Sequence, residues 1–375
     1  MSATKAIIVG GGVIGLTIAH HLSQKGVSCT VLERGPFAKE ASWAGAGYLD
    51  LRAAAQVGGA YFDLCRLSYD LFPDWIDRVE KESGLQAELV ESGSLDLAYD
   101  DKDEAGLRSL EKKLQSHGLG GEWLVGEKAR SLEPALSPGL QAAFFLKQTR
   151  QVRPPRLTRA LLAALQKRGV VLRELEIVEG FLAKGNRLFG VKTNKGLLEA
   201  DAVILATGAW SGLWGEKFKR VIPVKPVRGQ VILFQARPGF LRHILFSPLA
   251  YLVPRLDGRL YVGSTLEEVG FDKSNTSWGL ERLKRGALKA LPALSDTLIE
   301  DSWSGLRPGS PDGWPFLGKL PDWEGVWLAA GHFTHGLLLS AATGQLIAQD
   351  ILGEKPTVEL GPFALGRRPH TSVGL

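Results

Sequence analysis

The chain has 375 residues, with 45% hydrophobic and 23% charged residues, 45 glycines, two cysteines and one methionine. That composition excludes a disordered chain, a collagen-like chain and a disulfide-stapled module, and the length suffices for two domains with a large core. The 45 Lys and Arg against 40 Asp and Glu leave a formal net charge of +5 without a basic run, so the charge balance calls for no nucleic acid.

Lys5 to Val9 is a continuous apolar, β-branched run followed at once by Gly10-Gly11-Gly12-Val13-Ile14-Gly15, which predicts a strand and a glycine turn. Ile14, Ile18 and Leu22 recur at helical spacing up to Gly26, a C-terminal cap position, and Val27 to Leu32 reads as a second buried strand ending at Glu33. This is one βαβ unit of about 30 residues, the length a right-handed crossover requires. The patterns further along predict an aromatic-spaced helix over 61–82, short alternating segments over 93–99, a charged helix over 103–117 and an amphipathic helix over 156–167 closed by Gly169. Strand-like runs follow at 170–172 and 202–205, with an antiparallel excursion over 177–200 between them. Segments 221–234, 250–254 and 259–263 alternate with period two and predict a separate sheet, joined by a helix over 280–291. A strand at 326–329, a turn at Gly331 and a helix over 336–352 return to parallel logic. The nucleotide-binding pieces therefore lie at both ends and in the middle, which implies a discontinuous domain with a second one inserted.

The first residues lack the charged start, long apolar stretch and cleavage site of a signal peptide, and no window of about 18 uninterrupted apolar residues exists, so a cytoplasmic protein without a transmembrane segment is expected. Cys29 and Cys65 lack CxxC spacing and offer neither a zinc site nor a redox pair. HExxH, GxSxG and GxxxxGK[ST] are absent from the sequence, so metalloprotease, α/β-hydrolase and P-loop readings fall away and no metal is expected.

In the glycine fingerprint, Gly10 serves the tight turn, Gly12 lets backbone approach a pyrophosphate and Gly15 lets helix and strand pack closely. Glu33 stands 18 positions after Gly15 at the end of the second strand, where a carboxylate can take both ribose hydroxyls. Arg34 suits either a 2′-phosphate or a cation packed on adenine. The fingerprint does not separate NAD from FAD. Two further segments do: Ala202 to Gly208, a strand end with a small-residue turn carrying Thr207, and Gly331 to Leu339, a helix start whose free N–H groups and dipole suit an anionic acceptor such as a reduced flavin.

The combination IIVGGGVIGLTIAHHL, EASWAGAG at 40–47, ATGAW at 206–210, GLRPGSPDGWPFLG at 305–318 and AAGHFTHGLLLSAATG at 329–344 resembles the D-amino-acid oxidase superfamily of flavoproteins, and within it the glycine oxidases of thiamine thiazole synthesis. The resemblance implies an α/β (α+β overall) fold: a Rossmann-like FAD-binding domain of the glutathione-reductase type with an inserted, mostly antiparallel substrate domain. Expected boundaries are 1–87, 145–222 and 306–375 for the former, and 88–144 and 223–305 for the latter. It also implies noncovalent FAD, since the GLRPG segment has no neighbouring cysteine of the kind that attaches flavin in some sarcosine oxidases, and a homo-oligomer, dimer or tetramer.

Carried over residue by residue, Gly10, Gly12, Val13, Ile14, Gly15, Glu33 and Arg34 fall at the ADP half of FAD, Ser42 near the pyrophosphate, and Ala46 and Gly47 under the flavin. Val178 matches the segment that meets adenine, and Thr207, Gly208, Trp210, Gly331, Thr334, His335, Gly336 and Leu337 match positions bordering the flavin. Arg307, expected in a turn between glycine and proline, and Tyr251 match the pair that holds the substrate carboxylate; a guanidinium offers the planar two-pronged donor a carboxylate needs. Tyr48, Leu249, Leu266, His332 and Thr334 are expected to line the pocket, with Tyr48 adding bulk and a hydroxyl where the resembling enzymes commonly carry methionine.

The expected activity is FAD-dependent oxidative deamination of glycine, sarcosine or a small D-amino acid. Hydride would pass to flavin N5, O2 would be reduced to H2O2, and the imine would be hydrolysed to a 2-oxo acid and ammonia. A dehydrogenase passing electrons to a quinone or carrier and a flavin-binding protein that recruits partners without turnover are the alternatives.

Overall fold

Parallel strands that carry helices on both faces must be apolar throughout, and the continuous runs at Lys5–Val9, Ala202–Leu205 and Val326–Ala330 meet that condition. In the computed structural model, which describes residues 4–370, they form the centre of a six-stranded sheet in the order Phe316–Lys319, Val326–Ala330, Ala202–Leu205, Lys5–Val9, Ser28–Leu32 and Val171–Arg173. Only the edge strand Phe316–Lys319 runs antiparallel to its neighbour. Helix Val13–Gln24 connects the first two strands in sequence and packs on Gly336–Leu352 and Pro154–Lys167. Helix Gly336–Leu352 is buried from Leu338 through Gly344 without a polar stripe, as a helix enclosed on all sides must be; its outer cover is the 25-residue helix Gly59–Ser83.

The second sheet has eight strands in the order Ile299–Gly309, Lys225–Gln235, Arg259–Gly263, Tyr251–Pro254, Ile244–Phe246, Ser94–Ala98, Ala142–Leu146 and Glu122–Val125. All pairings are antiparallel except that of Ile244–Phe246 with Ser94–Ala98. Period-two alternation divides its faces. Ile232, Phe234, Leu252, Leu260 and Val262 share a core with Leu283 and Ala287 of helix Ser277–Ala290. Val231, Val253, Tyr251 and Tyr261 point the other way and pack with Ala46. A small three-stranded antiparallel sheet, Val178–Lys184, Arg187–Thr193 and Gly196–Glu199, accounts for the excursion between 177 and 200.

Gly305 to Gly309 is not a turn but the end of the 11-residue strand Ile299–Gly309, which lies wholly in the eight-stranded sheet and runs past the expected boundary at 305. Pro308 is tolerated because this is an edge strand and its partner in register is Pro226, so no ladder N–H is missing from a central position. The strands Glu122–Val125 and Ala142–Leu146 and the short helix Arg52–Val57 are further elements that the sequence pattern does not single out.

Candidate cofactor and substrate cleft

Between the C-terminal ends of the parallel strands and the inner face of the eight-stranded sheet lies a cleft enclosing about 1370 Å³ of empty space, part of it open to solvent. One end is built by the glycine turn. Gly10 has φ +113°, and a Cβ there would sit 2.8 Å from the carbonyl carbon of Ala206; a Cβ on Gly15 would run into the Gly10 carbonyl oxygen. Strand and helix are therefore in backbone contact, and Gly12, Val13 and Ile14 open onto the cleft. Helix Val13–Gln24 has no side-chain cap from Gly12; instead the Val13 N–H donates to Ser42 Oγ at 2.8 Å. The Glu33 carboxylate is held at the strand end by N–H groups of Gly11 at 2.8 Å and Gly35 at 3.0 Å. Val178 is buried in one core cluster with Leu32. Arg34 and Trp210 stand outside the cleft lining: the guanidinium lies 3.7 Å over the indole, which stacks on Phe271. Thr207 pairs with Ser211 Oγ at 3.0 Å and does not line the cleft, whereas Ala206 and Gly208 on either side of it do.

The middle of the cleft receives the second helix start. After the strand Val326–Ala330, Gly331 turns the chain at φ +75°, and helix Gly336–Leu352 begins without a capping side chain, so its first amides and positive dipole end face the cleft beside Gly336 and Leu337. His332 pairs with Thr343 Oγ1 at 3.0 Å, and burial pushes its imidazole down to about 3. His335 Nδ1 is 2.9 Å from Tyr61 Oη and 3.2 Å from Thr334 Oγ1, and burial lowers its pKa as well. Both rings are neutral near pH 7 and fixed by partners. Opposite, Ala46 is held by a residue that sequence reasoning missed: buried Arg255 donates to the Ala46 carbonyl at 2.5 Å, Gln151 Oε1 at 3.1 Å and the Val152 carbonyl at 3.4 Å, and the Val152 N–H in turn donates to the Gly47 carbonyl at 2.8 Å. Burial and Arg153 lower its pKa to about 10, so it stays cationic. An isolated arginine after Pro254 belongs to no motif, which is why the sequence does not point to it.

At the far end, Arg307 projects into the cleft with Nη2 donating to Ser264 Oγ at 2.6 Å and Nη1 to the Thr265 carbonyl at 3.2 Å. No carboxylate lies within ion-pair distance of it among the described residues. Its head rests on Gly229, the register partner of Gly305. Tyr251 reaches over Gly263, where a Cβ would come within 2.7 Å of the phenol oxygen. Tyr48 stands edge-on to Tyr251 at 5.2 Å and to Phe246 at 5.3 Å, and burial raises its pKa. Leu266, 53% exposed, sits at the mouth beside Glu267, which is anchored by Arg228 Nη2 at 2.6 Å. Leu249 is not in the cleft: the turn closed by the Ser247 N–H to the Ala250 carbonyl directs it onto Gly286 of the helix covering the opposite face. Asp50 also lines the cleft and was not singled out from sequence. Among the described residues no group of three or more His, Cys, Asp or Glu could hold a metal ion, and no helix is long and apolar enough to cross a membrane.

A parallel βαβ sheet whose glycine turn and second helix start both open onto one cleft, with a carboxylate at the neighbouring strand end, closed by an antiparallel sheet carrying an arginine that has no carboxylate partner among the described residues, defines a two-domain dinucleotide-dependent oxidoreductase. The profile of the family DAO, FAD-dependent oxidoreductase, matches residues 5–350, and the chain belongs to that family. It is 37% identical over 363 residues to a glycine oxidase of Pseudomonas aeruginosa, covering 96% of this chain and 98% of that protein. It is 34% identical over 365 residues to the bifunctional protein ThiO/ThiG of Trichormus variabilis, covering 96% of this chain and 54% of that longer protein. The crystal structure of glycine oxidase from Geobacillus kaustophilus superposes with a TM-score of 0.93 at 30% identity, covering 98% of this chain and all of that one. The protein is thus an FAD-dependent enzyme of the glycine oxidase type.

Proposed function

We propose that the enzyme oxidises a small amino acid or secondary amine, glycine or sarcosine first, with dioxygen as acceptor. The observation that carries this reading is Arg307: a guanidinium in the cleft wall that is positioned by Gly229, Ser264 and Thr265 and has no carboxylate among the described residues to neutralise it. Such a group is costly to desolvate unless an anion answers it, and a carboxylate matches its two prongs. Tyr251, in the same wall, supplies a phenol to the same anion.

The residues present fit FAD. Backbone fills the space that side chains at Gly10 and Gly15 would need; Ser42 takes the Val13 amide at the first helix start, and the start of helix Gly336–Leu352 leaves its amides for an anionic group. Gly12, Val13, Ser42 and Glu33 would hold the ADP half, and Ala46, Gly47, Gly208, Gly336 and Leu337 the flavin half. When bound, FAD supplies the two-electron acceptor. The chain's own part is to fix the substrate carboxylate with Arg307 and Tyr251 so that one Cα–H faces the middle of the cleft, a positioning effect worth several kcal/mol of barrier. The start of helix Gly336–Leu352 offers its dipole to the negative charge that arrives there. Neutral, hydrogen-bonded His332 and His335 shape the wall and bring no positive charge to it. With glycine the balance is glycine, water and dioxygen giving glyoxylate, ammonia and hydrogen peroxide. Similarity to proteins that join ThiO to ThiG supports the imine also being handed to thiazole synthesis. Cys29 and Cys65 are buried away from the cleft lining, which supports noncovalent attachment.

The test is anaerobic bleaching of the flavin absorbance by glycine, sarcosine and D- and L-amino acids, followed by air and peroxide detection. Bleaching by glycine or sarcosine with rapid recovery and peroxide is the expected result. Bleaching without recovery moves the enzyme to the dehydrogenases, and no bleaching by any of them removes the amino-acid substrate class.

A further inference from the structure

Behind the Tyr48 side of the cleft is a group of buried charges with no role so far. Asp50 and Asp96 are only 8% and 4% exposed. Between them lies the Arg52 guanidinium, 3.2 Å from Asp50 Oδ2 through Nη2 and paired with Asp96 Oδ1 through Nη1. Asp50 Oδ1 also accepts the Arg52 N–H at 2.9 Å. Two carboxylates share one guanidinium, and Asp96 Oδ2 and Arg52 Nε have no hydrogen-bond partner among the described residues. Arg52 Cζ sits 3.1 Å over the Phe246 ring; Phe246 meets Tyr48, and Tyr48 meets Tyr251. Of the three charged residues only Asp50 lines the cleft, so the excess negative charge reaches the substrate space through its carboxylate.

Buried charges require partners; burial raises the Asp96 carboxyl to about 6, so near pH 7 it is ionised and the group carries a net charge of −1, which a cation brought by a ligand in the adjacent cleft would balance. We propose that Asp50 is a specificity-determining residue: its carboxylate is the negative pole of the cleft and receives the amino group of the substrate whose carboxylate Arg307 holds. The cleft then selects a zwitterion with one carboxylate. A second carboxylate would meet like charge in a poorly hydrated wall, so dicarboxylic amines such as iminodiacetate are disfavoured against sarcosine. This rests on the amino-acid reading above.

The experiment begins with the wild-type holoenzyme: unless glycine or sarcosine bleaches its flavin, the amino-acid reading itself has failed, and Asp50 is not yet in question. Given bleaching, Asp50→Asn should raise KM for glycine about ten- to a hundredfold, the range of a hydrogen bond to a charged group. Inhibition by glycolate, which has the carboxylate but a hydroxyl in place of the amine, should be unchanged or tighter. The iminodiacetate-to-sarcosine ratio of kcat/KM should rise, and Asp50→Glu should restore discrimination. FAD content and melting temperature establish that the variant is folded. Should Asp50→Asn lose FAD, Asp96→Asn removes the same excess charge from behind the wall and must give the same split between glycine and glycolate. Glycine KM and glycolate Ki moving together, or neither moving, would overturn the proposal.

Discussion

Gly229→Ala tests the anchoring of Arg307 without touching a polar atom. A Cβ at Gly229 would lie 2.5 Å from Arg307 Cζ and closer still to both terminal nitrogens. Ordinary contact between such atoms is about 3.5 Å, so the head must retreat by about 1 Å. It can do so, because it is the far end of a flexible side chain, and alanine in place of glycine in a strand costs nothing in backbone entropy. The retreat breaks the geometry to Ser264 Oγ and the Thr265 carbonyl and shifts the carboxylate grip with it. A 1 Å misplacement can cost about a hundredfold in rate, so kcat/KM for glycine should fall by roughly that factor, with FAD content and melting temperature close to wild type. Steady-state peroxide production and glycolate titration of the flavin spectrum supply the two readouts. If turnover and glycolate affinity both stay at the wild-type level, Arg307 is not the carboxylate anchor and the reasoning from its missing counter-ion is refuted.

Three further outcomes are expected. Arg307→Met should abolish glycine turnover while the purified protein keeps its FAD, so loss of flavin on gel filtration would count against a purely substrate-binding role. Gly15→Ala drives a methyl into the Gly10 carbonyl oxygen, where only backbone could yield; the variant should be recovered with little or no FAD, and a fully loaded, stable protein would contradict the close helix–strand contact. For His332 the folded pKa of about 3 lies below the ordinary 6.5, so the unfolded chain binds the proton first. The stability tied to its neutral form is complete above pH 6.5 and declines by about 1.4 kcal/mol per unit as pH falls through the window toward 3. Denaturant melts of His332→Gln, which keeps a partner for Thr343, should therefore lose roughly 3 kcal/mol less than wild type between about pH 7 and 4; parallel curves would show that the imidazole is not held neutral by burial.

The sequence by itself determined what depends on neighbours along the chain. The βαβ unit, its glycine positions, the strand-end Glu33 and the helix start at Gly336 are local because turn, crossover and dipole are fixed by consecutive residues; so are the motifs that pointed to FAD and to Arg307. Tertiary structure decided what depends on residues far apart. Gly305 to Gly309 became strand rather than turn because Lys225–Gly229 pairs with it, and Leu249 left the pocket because its turn packs against helix Ser277–Ala290. Trp210 found Arg34 and Phe271 outside the cleft lining. Arg255, the Gly229 cradle and the Asp50–Arg52–Asp96 group escaped the sequence for one reason. Their meaning lies in desolvation and partner count across long separations, as in the Arg255 to Ala46 bond, and no spacing along a chain encodes which charge will be buried without a partner.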